Sequence, residues 1–307
     1  DAMTTIAMNT TAGSTDKLLW LTGTSVLRDV TLDGRRTERG WPGGYSWEQS
    51  CLARMIDGTL DVDRVTLTNS PGDGITILCN VTATLDDVTA SNCFRSAVTI
   101  TGGNTSVTIN RLTGSWLQIE YDTPGTGGSN VIALTMNDSS LPEGVELEAW
   151  GAVTITNTDL GRRFWIEGRG GAPVRITDCT IGLSKSEADF GGAFTDPDQL
   201  TAFGCSIYYP RDIVFTRCTF TGRPGVGLEL RPFALPVFSA TGQSVIFDAC
   251  RFVGTGGTAV YNYGDTIGAG RTNTVEFRNG CTFTGYDTGY ELRPGCSGTL
   301  VGSLVAG

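Results

Sequence analysis

The sequence predicts an all-β protein, a right-handed single-stranded parallel β-helix of about ten coils with loop insertions. Three observations carry that prediction. A cadence of apolar–x–apolar–x–x–anchor–x–apolar recurs every 21 to 25 residues through most of the 307-residue chain. Within each unit the period is two, with Val, Ile, Leu and Phe flanked by Thr and bounded by Gly, Asn and Asp, which reads as short strands and turns. No stretch of ten residues carries a convincing helical pattern. A propeller would need longer repeats and meander signals, and a leucine-rich solenoid would need Asn–x–Leu spacing.

Taken in order, the units are Leu60/Val62/Val65/Leu67, Ala83/Leu85/Val88/Ala90, Val107/Ile109/Leu112 and the fainter Ile132/Leu134/Asn137. Val153/Ile155/Thr158/Leu160 and Val174/Ile176/Cys179/Ile181 follow. The series closes with Ile213/Phe215/Cys218/Phe220, Val245/Phe247/Cys250/Phe252 and Val275/Phe277/Cys281/Phe283. Many units carry a second strand after a turn, as at 74–78, 97–101, 144–148, 164–168, 226–230 and 289–293. The anchor column is Val30, Val65, Val88, Leu112, Asn137, Thr158, Cys179, Cys218, Cys250 and Cys281. Where its spacing lengthens, insertions are expected: 34–58, 183–211 and a smaller one near 232–243. Solenoid insertions emerge as loops, commonly on the binding face. A single β-helix domain is expected over 1–307. The opening on Asp1 and the uncapped ending GTLVGSLVAG read as part of a longer chain.

Composition narrows the chemistry. Net charge is −10 and no segment is basic, which argues against nucleic acid and anionic membrane surfaces as partners. No apolar run reaches the length of a membrane span, so no membrane insertion is expected. The chain has 0 His, which removes Ser–His–Asp triads, Cys–His pairs and His-ligated metals. Its 9 Cys include no CxxC pair, so a zinc site is not expected. The anchor-column thiols read as small apolar residues in a stack. Cys51, Cys205 and Cys296 are the better disulfide candidates. No cofactor is expected. The acidic pairs Asp61/Asp63, Asp86/Asp87 and Asp196/Asp198 are candidates for structural calcium, although no EF-hand loop is present and such pairs are usually solvated turns.

Stacking the second strands in register gives the one constellation that could carry chemistry. Outward positions run Thr76/Leu78, Thr99/Thr101, Gln118/Glu120, Glu146/Glu148 and Trp165/Glu167. They resume after the large insertion as Glu229/Arg231, Tyr261/Tyr263 and Glu291/Arg293. This expectation places Glu120, Glu148 and Glu167 in one line as candidate catalytic carboxylates. Glu146, Trp165, Trp116, Tyr121, Asp122, Trp150 and Arg169 lie around them as candidate substrate-binding groups. Strands one rung apart are separated by about 4.8 Å. Retaining glycosidases hold two carboxyls about 5–5.5 Å apart and inverting ones about 6.5–9.5 Å apart, so several pairs qualify. Indole and phenol faces suit the C–H faces of sugar rings. The bland alternative is that an outer β-helix face must be polar, and an acidic solenoid often aligns two Glu by chance.

Repeats such as LDVDRVTLTNSPGDGITI, VFTRCTFTG, VIFDACRFVGTGG and VEFRNGCTFTG resemble the pectate-lyase-type β-helix superfamily over about 25–300. In flavour they are most similar to bacteriophage tailspike and minor tail proteins. The resemblance implies a homotrimer in the virion tail that works beside other tail proteins. Such a trimer recognises a bacterial surface polysaccharide, with or without cleaving it as an endoglycosidase or lyase. A secreted microbial polysaccharide hydrolase or lyase, and a structural or adhesive β-helix without catalysis, are the alternatives. The superfamily's catalytic sets do not carry over. The polygalacturonase Gly-His-Gly and the epimerase Asp-Pro-His-Glu both need a His. Arg231 and Arg293 lack the clustered Asp ligands that accompany the arginine of pectate lyases.

Overall fold

Alternating apolar and polar residues oblige a strand to bury one face, and stacking in register buries that face on the rungs above and below. The computed structural model of the chain follows that logic. It describes residues 3–9, 17–36, 38, 50–120, 131–148, 151–161, 163–167, 172–183, 206–208, 212–222, 227–231, 243–262, 273–292, 298–302 and 305–306. Among these residues the chain is all-β, and its strands pair in parallel as a parallel β-helix. They fall into two compact units, Asp1–Pro142 and Glu143–Gly307.

In the first unit one stack carries the strands Cys51–Thr68, Val81–Ser91, Thr105–Asn110 and Ile132–Asn137. Leu60, Ala83, Val107 and Leu134 align as one inward column, and Val62, Leu85, Ile109 and Met136 as the next. All eight are buried. A second stack aligns Leu19, Ala53, Ile75, Val98 and Leu117. Strands Lys17–Asp33 and Cys51–Thr68 pass through both stacks, pairing in parallel with one register shift between Thr22 and Gly23. Residues 51–56 are therefore a rung, and the expected insertion at 34–58 is shorter than the anchor spacing suggested. The spacing rule failed there because it followed only one column per coil. Asn137 is also corrected as an anchor. It pairs with Asn110, while the bridge from Thr113 to Ser140 brings Leu112 level with Ser139.

The second unit is built from three stacks, seen in the strands Val153–Thr156, Asp159–Leu160 and Arg163–Glu167 and their successors. From Phe215 onward its core carries stacked aromatic rings. Phe215, Phe247 and Phe277 lie face to face with centroids 5.3 and 5.2 Å apart. Phe220, Phe252 and Phe283 form a second such column at 4.6 and 4.8 Å. The two columns meet edge to face, as at Phe247 and Phe252, 5.3 Å apart at 72°. Each buried ring contributes about 1.5–3 kcal/mol by transfer from water, and each ring pair about 0.5–1.5 kcal/mol more. The strand Ser206–Tyr208 pairs with Arg163–Glu167 on one side and Leu228–Arg231 on the other. It is a rung inside the expected 183–211 insertion, whose first residue, Leu183, also belongs to a strand.

The coils turn at a repeated left-handed residue just before the anchor. Asp29, Arg64, Asp87, Arg111 and Asp138 in the first unit have φ between 50° and 57°. Asn157, Asp178, Arg217 and Ala249 in the second have φ between 48° and 54°. That conformation costs a non-glycine residue about 1–2 kcal/mol, and several of these residues bind one another across coils. Arg64 grips Asp29 at 2.6 and 2.9 Å, Arg111 grips Asp87 at 2.5 and 3.0 Å, and Arg217 grips Asp178 at 2.7 and 2.6 Å. The anchors themselves donate hydrogen bonds. Ser139 Oγ and Thr158 Oγ1 reach the carbonyls of Asn137 and Thr156 at 2.8 and 2.9 Å. Cys218, Cys250 and Cys281 Sγ reach the carbonyls of Ile176, Phe215 and Phe247 in preceding coils at 3.3, 3.4 and 3.2 Å. The thiols are thus buried, as a stack of small residues requires, and also satisfy corner carbonyls. Cys51 is buried with a free thiol. Cys205 and Cys296 lie outside the described residues.

Candidate functional site

Five-residue strands at Gly144–Glu148 and Arg163–Glu167 bury Val145, Leu147, Phe164 and Ile166 inward, and so turn the alternate residues outward. Their parallel register sets Glu146 beside Trp165 and Glu148 beside Glu167. The backbone register then continues through Ser206, Glu229, Tyr261 and Glu291 in one column, and through Tyr208 and Arg231 in the other. Two carboxylates on neighbouring rungs are about 4.8 Å apart at the backbone. Outward residues of a solvated face are expected to be exposed, yet Glu146 and Glu167 each retain only 7% of their surface, while Glu148 and Trp165 are half-buried. A half-buried indole beside this set presents a flat apolar surface next to charged acceptors. That combination fits a pyranose ring with its hydroxyls.

In the first unit a polar constellation surrounds Glu120. Thr76, Thr99 and Gln118 share one outward lane, and Thr101 and Glu120 the next. Glu120 Oε1 accepts from the guanidinium of Arg95 and from the amide of Gln118. Arg95 Nη2 also donates to Gln118 Oε1 at 3.0 Å, and its main-chain carbonyl accepts the Trp116 indole N–H at 2.5 Å. Behind Arg95 lies Asp73, 2% exposed, with its Oδ1 4.0 Å from Arg95 Nε. Ser96 gives Asp73 a hydroxyl bond at 2.9 Å and a main-chain bond at 3.3 Å, and Thr76 a hydroxyl bond at 3.3 Å. Burial pushes the Asp73 carboxyl above its ordinary value, against the opposing pull of Arg95 and the bonds from Ser96. Glu120, with 35% of its side chain exposed, is thereby fixed as an acceptor at the surface. An arginine-bound carboxylate of this kind suits hydroxyl recognition better than proton donation.

Of the sequence-predicted residues, Glu148, Glu167, Glu146 and Trp165 come together in the second unit, and in the first Glu120 and Trp116 meet through Arg95. Tyr121, Asp122, Trp150 and Arg169 lie outside the described residues. Sequence reasoning missed Arg95 and Asp73, which sit in a turn and at a strand start, where alternation gives no side assignment. It also missed Ser206 and Tyr208, which were counted with the insertion. As for metal, Arg28 pairs with Asp61 and Asp63 at 3.3 and 3.0 Å, and Arg111 pairs with Asp86 and Asp87. Among the described residues no group of three or more Cys, Asp or Glu is arranged to hold an ion. Asp196 and Asp198 lie outside them.

No protein-family model, curated protein or solved structure matches this chain.

Proposed function

We propose that this chain recognises a bacterial surface polysaccharide in the manner of a phage tailspike, and that Glu148 and Glu167 cleave it. The observation that carries the reading is the register of Glu148 with Glu167 beside the half-buried Trp165. Carboxylates one rung apart match the short separation of a retaining glycosidase, in which one group protonates the leaving oxygen and the other attacks the anomeric carbon. Water then hydrolyses the glycosyl ester, with the first group acting as base. Trp165 stacks on the sugar, and Glu146 accepts from its hydroxyls. The resemblance of the repeats to tailspikes supports a homotrimer in the virion tail, in contact with other tail proteins.

The test is incubation of the full chain with a panel of capsular and cell-wall glycans, beside Glu148→Gln and Glu167→Gln. Release of reducing ends, lowered by a factor on the order of 10² to 10⁴ in either variant, is the expected result. Ultraviolet absorbance from an unsaturated uronate would replace hydrolysis by elimination. Retention of a glycan without cleavage would leave recognition standing and remove catalysis. Wild-type binding and cleavage that neither substitution alters would overturn the assignment.

A further inference from the structure

We propose that Trp20 and Arg54 form a binding subsite for a carboxylate-bearing sugar on the first unit. The inference deepens the polysaccharide reading above by naming its substrate class, an acidic glycan, and it rests on that reading. Trp20 and Arg54 are register partners on adjacent strands. They extend the outward lane that continues through Thr76, Thr99 and Gln118. The next members of that lane, Thr76, Thr99 and Gln118, are polar and buried. Trp20 instead leaves 59% of its surface exposed, the largest value among the exposed large apolar residues of the described chain. Its ring adds little to the core, so its placement has no packing explanation.

Arg54 gives the indole a chemical context. Its Cζ lies 5.7 Å from the Trp20 ring centroid, a cation–π contact between register partners. A guanidinium stacked on a ring keeps its donors in its own plane, where they match the two oxygens of a carboxylate. The exposed indole surface beside it takes the C–H face of the sugar that bears that carboxylate. A neutral glycan would use the indole alone. With a net charge of −10, the chain holds an anionic polymer only where it presents a cation at contact distance. Trp20 and Arg54 are such a place, and both are reachable: Trp20 is exposed and Arg54 half-buried.

Isothermal titration of the full chain with a glucuronate-containing oligosaccharide and with its carboxyl-reduced counterpart tests the proposal. The wild type is expected to bind the acidic oligomer about tenfold more tightly. Arg54→Gln should erase that preference while keeping neutral binding, and Arg54→Lys should restore part of it. Trp20→Ala should weaken both ligands about tenfold. Equal affinity of the wild type for the two oligomers, or an unchanged preference in Arg54→Gln, overturns the proposal. If those variants behave as wild type while Glu148→Gln and Glu167→Gln lose glycan cleavage, only this subsite falls. If no glycan of either kind binds the wild type, both readings fall.

Discussion

Ser96 donates its hydroxyl to the buried carboxylate of Asp73, Oγ to Oδ1 at 2.9 Å, from the neighbouring rung of the first unit. The preceding residue along the chain, Arg95, reaches from Asp73 toward the surface carboxylate of Glu120. A charge that burial disfavours is therefore tied to a charge that solvent sees.

Asp73 makes stability depend on pH with a defined sign. Its folded pKa lies above the ordinary 3.8 because burial penalises the ionised form. The folded state thus binds the proton more tightly than the unfolded chain. The contribution is fully present below 3.8 and is lost as pH rises through the higher folded value. Asp29, Asp87 and Asp178 have the opposite sign: hydrogen bonds from Arg64, Arg111 and Arg217 lower their pKa values. Their contribution is present above 3.8 and lost on acidification through the lowered values. Asp73→Asn should gain stability relative to wild type as pH rises from 3.8 toward neutrality, read from denaturant midpoints. A pH-independent difference between the two proteins would contradict it.

Phe247 contacts four other rings of the second unit, flat on Phe215 and Phe277 and edge-on to Phe220 and Phe252. It is fully buried. Phe247→Ala should cost about 3–5 kcal/mol through the cavity and the lost ring contacts, and Phe247→Leu distinctly less. Urea unfolding checks this, and a loss below about 1 kcal/mol for the alanine variant would be incompatible with the stack.

Cys218 separates two accounts of its column. If the thiol matters only as a small apolar group, Val should be tolerated there better than Thr. Its Sγ bonds to the Ile176 and Thr216 carbonyls at 3.3 and 3.5 Å, and the bond from Thr158, two positions down the column, to the Thr156 carbonyl, argue that a donor is wanted. Cys218→Thr should be within about 0.5 kcal/mol of wild type, whereas Cys218→Val should lose about 1 kcal/mol or more. A smaller thermal shift for Cys218→Val than for Cys218→Thr would favour the purely apolar account.

Ala249 holds φ at 52° with no polar side chain to offset the strain. Glycine adopts that conformation freely, at an entropic cost in the unfolded chain of about 0.4–1 kcal/mol. Relief of about 1–2 kcal/mol exceeds that cost, so Ala249→Gly should raise stability by about 0.5–1 kcal/mol. A lower melting temperature for Ala249→Gly would refute the strain argument.

Much of this was legible beforehand, for a physical reason. Strand alternation and a repeat near 22 residues report directly on which side chains face inward, as the alignments of Leu60 with Ala83 and of Phe215 with Phe247 show. The outward lane could be counted from the same alternation, so Glu148 met Glu167 as expected. The rungs at 51–56 and Ser206–Tyr208 were lost because each follows a segment of irregular length, and a period cannot be counted across one. Arg95 and Asp73 were lost because side chains in turns have no fixed parity.

The sequence by itself determined the class of fold, the inward columns and the order of residues along the outer lanes, since these follow from local periodicity summed over repeats. Only the tertiary structure decided which polar groups touch: that Asp73 is buried behind Arg95, that Arg95 holds Glu120, that Trp20 shares a face with Arg54, and that anchor thiols serve carbonyls one coil away. Those contacts join residues tens of positions apart through side-chain torsions and corner geometry, which no pattern of residue types encodes.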